Sequence, residues 1–298
     1  MEKKYSGVIV PMVTPVDAQG NIDTAAVGRI IGTFCDNGLH PLLLGTTGEG
    51  TSVSGDKGEV LVAAAAEAAK GRCTIYAAVS GCKMDTLKED LRRYAAAGAD
   101  VLTSTLPSYY ILTTGQMEEY YKTLASASPK PFMLYNIKGT THMSIPLELV
   151  ESLSHFPNIV GMKDSENDRE RTARCLRMLE GREDFSYFIG CAANSAYALY
   201  LGADGIVPSG ANFDPVVYRD LYTAARAGDT ARADELQERA IFLGDIYADD
   251  NTLGESLAAL KVMMGLKGLC GPAMLPPLTE LDPGKKAAVE KRAIAYGV

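Results

Sequence analysis

The feature of this 298-residue chain that most restricts its fold is a regular alternation of short apolar runs with stretches of helical character. Eight such runs occur in the first three quarters of the sequence, and they begin at Val8, Leu42, Thr74, Val101, Phe132, Asn158, Phe185 and Asp204. A strand that is apolar on both faces and is followed by a helix is typical of a parallel sheet covered by helices. Eight repeats of roughly 20–30 residues favour a closed (β/α)8 TIM barrel over a doubly wound sheet. No Gly-x-Gly-x-x-Gly motif opens a helix, which disfavours a dinucleotide-binding fold.

The stretches between the runs carry ordinary helix signals. Asp214 and Pro215, for example, are an N-cap followed by proline at the first helical position. After Gly228 the alternation ends, and three further helices are predicted over residues 230–247, 252–264 and 284–296. We therefore predict a barrel over residues 1–227 and a C-terminal helical domain over residues 228–298.

Charge and composition narrow the class of protein. The formal net charge is −8 with no basic block, which disfavours nucleic acids and anionic membranes as partners. The six cysteines include no Cys-x-x-Cys pair and the three histidines form no zinc-binding pattern, so we expect reduced, buried thiols and no metal site. No apolar stretch approaches the roughly 18 residues of a spanning helix, and the N-terminal residues lack a signal-peptide pattern. These features predict a cytoplasmic protein.

Lys163 ends the sixth apolar run and would lie at the carboxyl end of a strand, where barrel enzymes have their active sites. Desolvation at such a position disfavours an ammonium ion, and a neutral amine is a nucleophile that can form a Schiff base with a carbonyl group. The structural alternative is a lysine whose side chain extends out of the barrel mouth into solvent. The position of this lysine in the sequence leaves both interpretations open.

Two other groups of residues fall on the same predicted rim. The turn Gly45–Gly50 follows the second run, and its two hydroxyls and free backbone N–H groups can hold a carboxylate or a phosphate. Such a glycine-rich turn can also be an ordinary connection. Tyr135 ends the fifth run and Tyr109 and Tyr110 follow the fourth; a phenol beside an amine can move protons, although a tyrosine there often only packs its ring. A nucleophile, an anion-binding turn and phenols on one rim together favour an enzyme.

Residues on this rim and several other segments resemble the dihydrodipicolinate synthase / N-acetylneuraminate lyase family of class I aldolases. The similar segments extend over nearly the whole chain and are Gly7–Pro15, Gly45–Gly50, Gly98–Val101, Pro107–Tyr110, Tyr135–Asn136, Gly161–Ser165, Gly202–Asn212 and Leu275–Leu278. The resemblance implies a TIM barrel with a C-terminal helical domain, commonly assembled as a homotetramer. It also implies a small 2-oxo acid as substrate, with no cofactor and no metal.

The resemblance further implies a role for each candidate residue. Lys163 would form a Schiff base with C2 of pyruvate or a longer 2-oxo acid, and the iminium would stabilise a carbanion at C3. The carboxylate of that acid would be bound by the turn after the second strand and by the backbone after the eighth, at Gly45, Thr46, Thr47 and Val207. Tyr135 would transfer the proton, and Thr46 and Tyr110 would complete the proton relay. In the family, a tyrosine at the position of Tyr109 or Tyr110 reaches this relay from a neighbouring subunit.

Departures from the family pattern bear on the substrate. Synthases that use aspartate semialdehyde resemble Tyr-Asn-x-Pro-x-Arg-Thr-Gly over residues 135–142, where the arginine binds a second carboxylate. Here Thr140 stands in place of that arginine and Lys138 replaces the proline. Sialic acid lyases carry acidic residues after the seventh strand, whereas residues 190–194 contain none. His142 stands where glycine is usual; with Thr140, it is a candidate contact to the distal part of the substrate, or else a loop histidine facing solvent.

The sequence thus favours a Schiff-base lyase that reversibly cleaves a 2-keto-3-deoxy sugar acid into pyruvate and an aldehyde. A dehydratase, an N-acetylneuraminate lyase and a 4-hydroxy-tetrahydrodipicolinate synthase that uses Lys138 or His142 in place of arginine are the alternatives among enzymes. A non-catalytic sensor of 2-oxo acids is the alternative outside enzymes, although a sensor has no need of a proton relay.

Overall fold

The computed structural model describes residues 3–297, which form a closed barrel of eight parallel strands surrounded by helices. Each strand pairs with the next along the chain, and the eighth pairs with the first. The strands are β1 (Gly7–Pro11), β2 (His40–Leu43), β3 (Tyr76–Val79), β4 (Val101–Thr105), β5 (Phe132–Asn136), β6 (Ile159–Asp164), β7 (Ser186–Ile189) and β8 (Gly205–Ile206). The predicted (β/α)8 barrel is confirmed, and each apolar run overlaps one strand.

Helices follow the strands and cover the outside of the barrel. They are α1 (Thr24–Asp36), α2 (Gly55–Ala69), α3 (Met84–Ala96), α4 (Thr114–Ala127), α5 (Lys138–Thr141), α6 (Leu147–Ser154), α7 (Arg169–Met178), α8 (Ser195–Tyr200), α9 (Pro215–Arg226), α10 (Thr230–Ala248), α11 (Leu253–Leu266) and α12 (Pro283–Gly297). Asp214 caps α9 as predicted, since its side chain accepts a hydrogen bond from the Val217 N–H. None of the helices within residues 3–297 combines the length and the apolar character that crossing a bilayer requires.

Pro11 fits the first strand because it is the last residue of β1. Its carbonyl accepts a hydrogen bond of 2.8 Å from Asn212 Nδ2. The same side chain accepts one of 3.1 Å from the Val13 N–H through its oxygen. A buried amide from the segment after β8 therefore satisfies the backbone where β1 ends.

Apolar side chains fill both the inside of the barrel and the layer between strands and helices. The interior cluster consists of Ile9, Leu42, Tyr76, Ala78, Val101, Met133, Phe188 and Val207. Side chains alternate along a strand, so Tyr135, two residues after the interior Met133, also faces inward. The barrel is therefore a packed core whose carboxyl end carries the polar candidate residues.

The three helices predicted after Gly228 are confirmed, and they pack directly on the barrel. The Gln237 side chain on α10 accepts a hydrogen bond of 2.9 Å from the Ala196 N–H and donates one of 3.0 Å to the Ala192 carbonyl. Lys267, after α11, donates to the Phe213 carbonyl at 2.9 Å. The C-terminal helices thus contact the loops that follow β7 and β8, while the division into two domains at residues 227 and 228 stays a prediction.

The cysteines are less uniformly buried than the sequence predicts. All six are free, and Cys73, Cys175 and Cys270 are buried, whereas Cys35 and Cys191 are half-buried and Cys82 is exposed. The expectation is wrong at Cys82 because this residue lies in the loop between β3 and α3 rather than within an element.

Candidate active site

Lys163 and Tyr135 are neighbours across the β5–β6 ladder. Parallel pairing places Tyr135 opposite Lys163, and the Lys163 Nζ atom lies 4.1 Å from the centre of the Tyr135 ring. The exposed fractions are 8% for Lys163 and 2% for Tyr135. The structure therefore places the lysine inside the barrel mouth beside a phenol, and not in bulk solvent.

Gly190, at the end of β7, leaves the space through which the lysine side chain extends. A Cβ atom at this position would overlap Ser165 Oγ and would lie 3.0 Å from Lys163 Cε. Gly190 and Ser165 are not among the candidate residues of the sequence analysis. In the sequence, the only sign that position 190 leaves space for the lysine is that it is glycine. That sign becomes informative only when the pairing of β6 with β7 is known.

The Tyr135 hydroxyl lies 3.2 Å from Thr46 Oγ1, within hydrogen-bond distance. Burial alone raises the pKa of the Tyr135 phenol, but the nearby Lys163 charge and hydrogen bonds with Lys163, Thr46 and Ser165 more than offset this, and the pKa lies below its ordinary value. The phenol is thus adapted to exchange a proton with a group bound next to the lysine.

The turn Gly45–Gly50 owes its shape to the close approach of β1 and of its own backbone. A Cβ atom at Gly48 would lie 2.9 Å from the Met12 carbonyl oxygen, and one at Gly50 would overlap the Leu44 carbonyl. Thr14 Oγ1 donates a hydrogen bond of 2.6 Å to the Gly48 carbonyl. Glycine is therefore required at two positions of this turn for steric reasons.

Thr47 lies on the side of this turn that faces β8. Its Oγ1 atom is 3.1 Å from Ser209 Oγ, and Val207, directly after β8, is 2% exposed. Thr46 thus points toward the phenol and Thr47 toward the eighth strand. Ser209 is not among the candidate residues of the sequence analysis, although it belongs to the segment Gly202–Asn212 that resembles the family.

A network of charged residues holds the ends of β5 and β6 together beneath the site. Asn136 Nδ2 donates to Asp164 Oδ1 at 2.8 Å and to Glu166 Oε1 at 2.7 Å. Arg171 Nε donates to Asp164 Oδ2 at 2.7 Å. Burial raises the pKa of the Asp164 carboxyl above its ordinary value despite the opposing effect of Arg171 and Asn136. These contacts fix the strand ends that carry Tyr135 and Lys163.

A cavity of about 330 Å³ begins at the turn. Hydroxyl groups from the barrel loops line one part of it, and these belong to Thr46, Thr51, Ser52, Ser80, Thr105, Ser108, Thr140 and Thr141. Apolar side chains from the C-terminal region line another part, and these are Leu253, Leu257, Pro277 and Leu278. Within residues 3–297 the only ionisable residue of the lining is Glu49, whose side chain is buried against Lys261. The cavity therefore combines hydroxyl groups with an apolar wall and, among the described residues, has no free charge in its lining.

Three candidate residues, Gly45, Thr46 and Thr140, line this cavity. The others are not part of its lining, and these are Lys163, Tyr135, Thr47, Val207, Tyr109, Tyr110, Lys138 and His142. Tyr109 and Tyr110 are 78% and 67% exposed, and their rings meet edge to face with centres 4.9 Å apart. Lys138 and His142 are exposed, and His142 ends α5 in the left-handed conformation with φ of 60°. Thr140 and His142 are the distal contacts that the sequence predicts. Of these two, Thr140 is the one that lines the cavity.

The described residues bring together groups that suit imine chemistry. A lysine shielded from water can form an imine with a carbonyl compound, and a phenol with a lowered pKa beside it can transfer protons. No group of three or more His, Cys, Asp or Glu side chains within residues 3–297 could hold a metal ion.

Comparison with known proteins agrees with this arrangement. The chain matches the model of the dihydrodipicolinate synthetase family over residues 4–295. It is 30% identical over 288 residues to the 4-hydroxy-tetrahydrodipicolinate synthase of Thiobacillus denitrificans, covering 95% of this chain and 94% of that protein.

Two solved structures have the same fold. Dihydrodipicolinate synthase from Bacteroides thetaiotaomicron superposes with a TM-score of 0.93 at 27% identity, covering 99% of this chain and 100% of that one. The chloride-inhibited dihydrodipicolinate synthase from Acinetobacter baumannii, complexed with pyruvate, gives 0.89 at 25% identity, covering 98% and 99%. The match extends over almost the entire chain in both sequence and fold, and this protein belongs to the dihydrodipicolinate synthetase family of Schiff-base-forming lyases, which work without an external cofactor.

Proposed function

We propose that this protein is a class I aldolase that reversibly cleaves a 2-keto-3-deoxy sugar acid into pyruvate and an aldehyde. The observation that carries the proposal is the contact of Lys163 with Tyr135, whose hydroxyl is in turn 3.2 Å from Thr46. Lys163 is the amine that forms the Schiff base, and Tyr135 is the acid and base.

The reaction proceeds through an iminium ion on Lys163. The amine attacks C2 of the 2-oxo acid and water leaves, which gives the iminium. Tyr135 takes the proton of the C4 hydroxyl, the C3–C4 bond breaks to release the aldehyde, and the electron pair of that bond neutralises the iminium as an enamine. Protonation at C3 and hydrolysis then release pyruvate and restore the amine. Thr46, Thr47 and the nearby Ser209 hydroxyl bind the carboxylate throughout.

We infer that the cavity beside Thr46 holds the distal part of the substrate, and its lining supports an uncharged group there. A second carboxylate would find no cation in the lining, and a buried charge without a partner is strongly disfavoured. The many Ser and Thr hydroxyls suit the hydroxyl groups of a sugar chain instead. Relatives at about 30% identity bear the name of the synthase that uses aspartate semialdehyde, so that reaction is the alternative to be tested.

A panel of substrates tests the proposal. The enzyme is incubated with several 2-keto-3-deoxy sugar acids and with N-acetylneuraminate, and separately with pyruvate plus aspartate semialdehyde, while pyruvate is measured. We expect the highest kcat/KM with a 2-keto-3-deoxy sugar acid and the release of an aldehyde in equal amount. An unbroken oxo acid as product would show a dehydratase, and fastest consumption of pyruvate with aspartate semialdehyde would show a synthase.

The variant Thr140→Arg tests whether a cation at this position makes the enzyme accept a second carboxylate on the substrate. The guanidinium would add a carboxylate-binding group to the cavity, and a charge-assisted hydrogen bond of this kind changes kcat/KM by about 10- to 100-fold. We expect the variant to prefer aspartate semialdehyde more strongly than the original enzyme does, and Thr140→Ser to leave the preference unchanged.

We further propose that the protein is a homo-oligomer in which a second copy covers Tyr109 and Tyr110. Two tyrosines and Ile111 expose 67% or more of their surface beside the site, an arrangement typical of an interface. Sedimentation velocity of the original enzyme and of Tyr109→Ser tests this by measuring the mass of the assembly. We expect the original enzyme to be an oligomer and the variant to dissociate into smaller species.

The cytoplasmic location stays a prediction.

A further inference from the structure

Glu49 and Lys261 form an ion pair that is shielded from solvent. The exposed fractions of the two side chains are 0% and 1%, and Glu49 Oε1 lies 2.5 Å from Lys261 Nζ. The other carboxylate oxygen accepts a hydrogen bond of 2.8 Å from the Leu275 N–H, and Lys261 also donates to the Ala273 carbonyl at 2.7 Å. Within residues 3–297 Glu49 Oε1 has no hydrogen-bond partner, so its contact with the ammonium group is purely an ion pair.

The surroundings of this pair make its presence costly. Every residue of α11 from Ser256 to Met264 is buried, and Lys261 is the only charged member of that stretch. Removing two charges from water has a free-energy cost that their mutual attraction does not always offset, and apolar residues of similar size are often as stable or more stable in such places. Stability alone is therefore a weak explanation for a lysine at this position.

The pair joins two parts of the site that are far apart in the sequence. Glu49 belongs to the turn that carries Thr46 and Thr47, and its own N–H donates to the Thr46 carbonyl at 3.1 Å. Glu49 has a φ of 54°, a left-handed conformation that a non-glycine residue adopts at some cost. The ion pair holds the residue in this conformation.

Lys261 lies on α11, which contributes Leu253 and Leu257 to the cavity lining. It is one helical turn after Leu257, so the two residues share a face of α11, and Leu257 lines the cavity. The backbone groups of Ala273 and Leu275, which the pair also binds, precede Pro277 and Leu278 of the same lining. One buried pair thus joins the turn to the C-terminal segments that line the cavity together with it.

We propose that Glu49 and Lys261 are positioning residues, which fix the Thr46–Thr47 turn against the C-terminal helices and so determine the affinity for the 2-oxo acid carboxylate. This proposal rests on one part of the proposed function, namely that the Thr46–Thr47 turn binds the carboxylate of the 2-oxo acid. Neither residue touches the reacting atoms: Glu49 acts through the turn backbone, and Lys261 acts through Glu49.

The test is the dependence of Schiff-base trapping on pyruvate concentration. The full-length enzyme is treated with borohydride at increasing pyruvate, and the rate of adduct formation gives a half-saturating concentration and a maximal rate. The main variant is Glu49→Gln with Lys261→Met, because it leaves no unpaired buried charge and its glutamine can still accept from Leu275 N–H. Lys261→Met alone, which leaves Glu49 unpaired, is measured in parallel.

We expect the half-saturating pyruvate concentration to rise about tenfold in the double variant and further in Lys261→Met, with a maximal trapping rate within about threefold of the original enzyme. The control is Lys285→Met, which removes a half-exposed ion pair with Glu255 in the same helical region. We expect the control to leave both quantities unchanged.

Two outcomes overturn the proposal, and they are distinguishable. A folded double variant with the original dependence on pyruvate, and only a lower unfolding temperature, would show that the pair is structural, while the proposed function would stand. An original enzyme that forms no adduct at any pyruvate concentration would refute the proposed function and this proposal together.

Discussion

The Nζ atom of Lys163 lies 4.1 Å from the centre of the Tyr135 ring, and this contact follows from the register of two adjacent strands. Residues that are paired in a parallel ladder project their side chains from the same face of the sheet, so the phenol and the amine share one environment. The Lys163 charge contributes to the lowered pKa of Tyr135, which makes proton exchange easier near neutral pH.

Substitution of Lys163 by alanine is expected to abolish covalent trapping. Borohydride added with pyruvate should reduce the iminium and leave one pyruvyl group on Lys163 of the original enzyme, detected by mass spectrometry of peptides. The matched control is Lys138→Ala, because Lys138 is an exposed lysine on the loop after β5. An adduct that persists in Lys163→Ala would place the Schiff base elsewhere.

The limb of the pH profile on which the rate of cleavage rises with pH is expected to depend on Thr46. The hydrogen bond from Thr46 is one of the interactions that lower the pKa of Tyr135, so Thr46→Val should raise this pKa. The phenolate is the form that takes the C4 proton in the cleavage direction, so kcat/KM of the variant should rise with pH at a higher pH than that of the original enzyme. Tyr135→Phe should lack this limb. If this limb of the pH profile lies at the same pH in Thr46→Val as in the original enzyme, the limb reports the ionisation of a group other than Tyr135.

Gly190→Ala is expected to impair the lysine without unfolding the protein. The added Cβ would overlap Ser165 Oγ and crowd Lys163 Cε at 3.0 Å, and misplacing a positioned group lowers its rate by about 10- to 100-fold. The measurement is the maximal rate of borohydride trapping. The control is Gly28→Ala within α1, where a Cβ meets no atom and should stabilise the fold by about 0.5–1 kcal/mol. A trapping rate that is equal in both variants would contradict the steric role of Gly190.

His142→Gly is expected to stabilise the protein and to leave activity unchanged. His142 has a φ of 60°, where glycine avoids a strain of about 1 kcal/mol, and its exposed side chain does not line the cavity. Lys70→Gly, at another exposed left-handed position, should give a similar gain in urea unfolding. A fall in kcat/KM of His142→Gly would instead support the histidine as a contact to the distal part of the substrate.

The stability contributed by Glu255 is expected to disappear in acid. Hydrogen bonds from Lys285 and from Thr252 lower the pKa of Glu255 to about 2 from an ordinary value of 4.5. A carboxyl whose pKa is depressed by folding stabilises the protein above the unfolded-state pKa, and this contribution is lost as the pH falls from 4.5 toward 2. The difference in urea midpoint between the original protein and Glu255→Gln should therefore be constant above about pH 5.5 and shrink below pH 4.5. A difference that does not vary with pH would contradict this.

Local pattern determined the architecture and the residues of the rim. Each apolar run became a strand because a segment that is apolar on both faces gains free energy only when both faces are covered. Once those runs are the strands of a barrel, Thr46, Tyr135 and Lys163 must lie at its carboxyl end. The sequence alone therefore placed these three residues at one end of the molecule.

Tertiary structure alone decided which of these residues touch and what encloses them. The space at Gly190, the pairing of Thr47 with Ser209 and the ion pair between Glu49 and Lys261 join segments that lie between 27 and 212 residues apart in the chain. Such contacts depend on strand register and helix packing. A periodic sequence pattern shows that one face of an element is buried, but it does not show which residues cover that face.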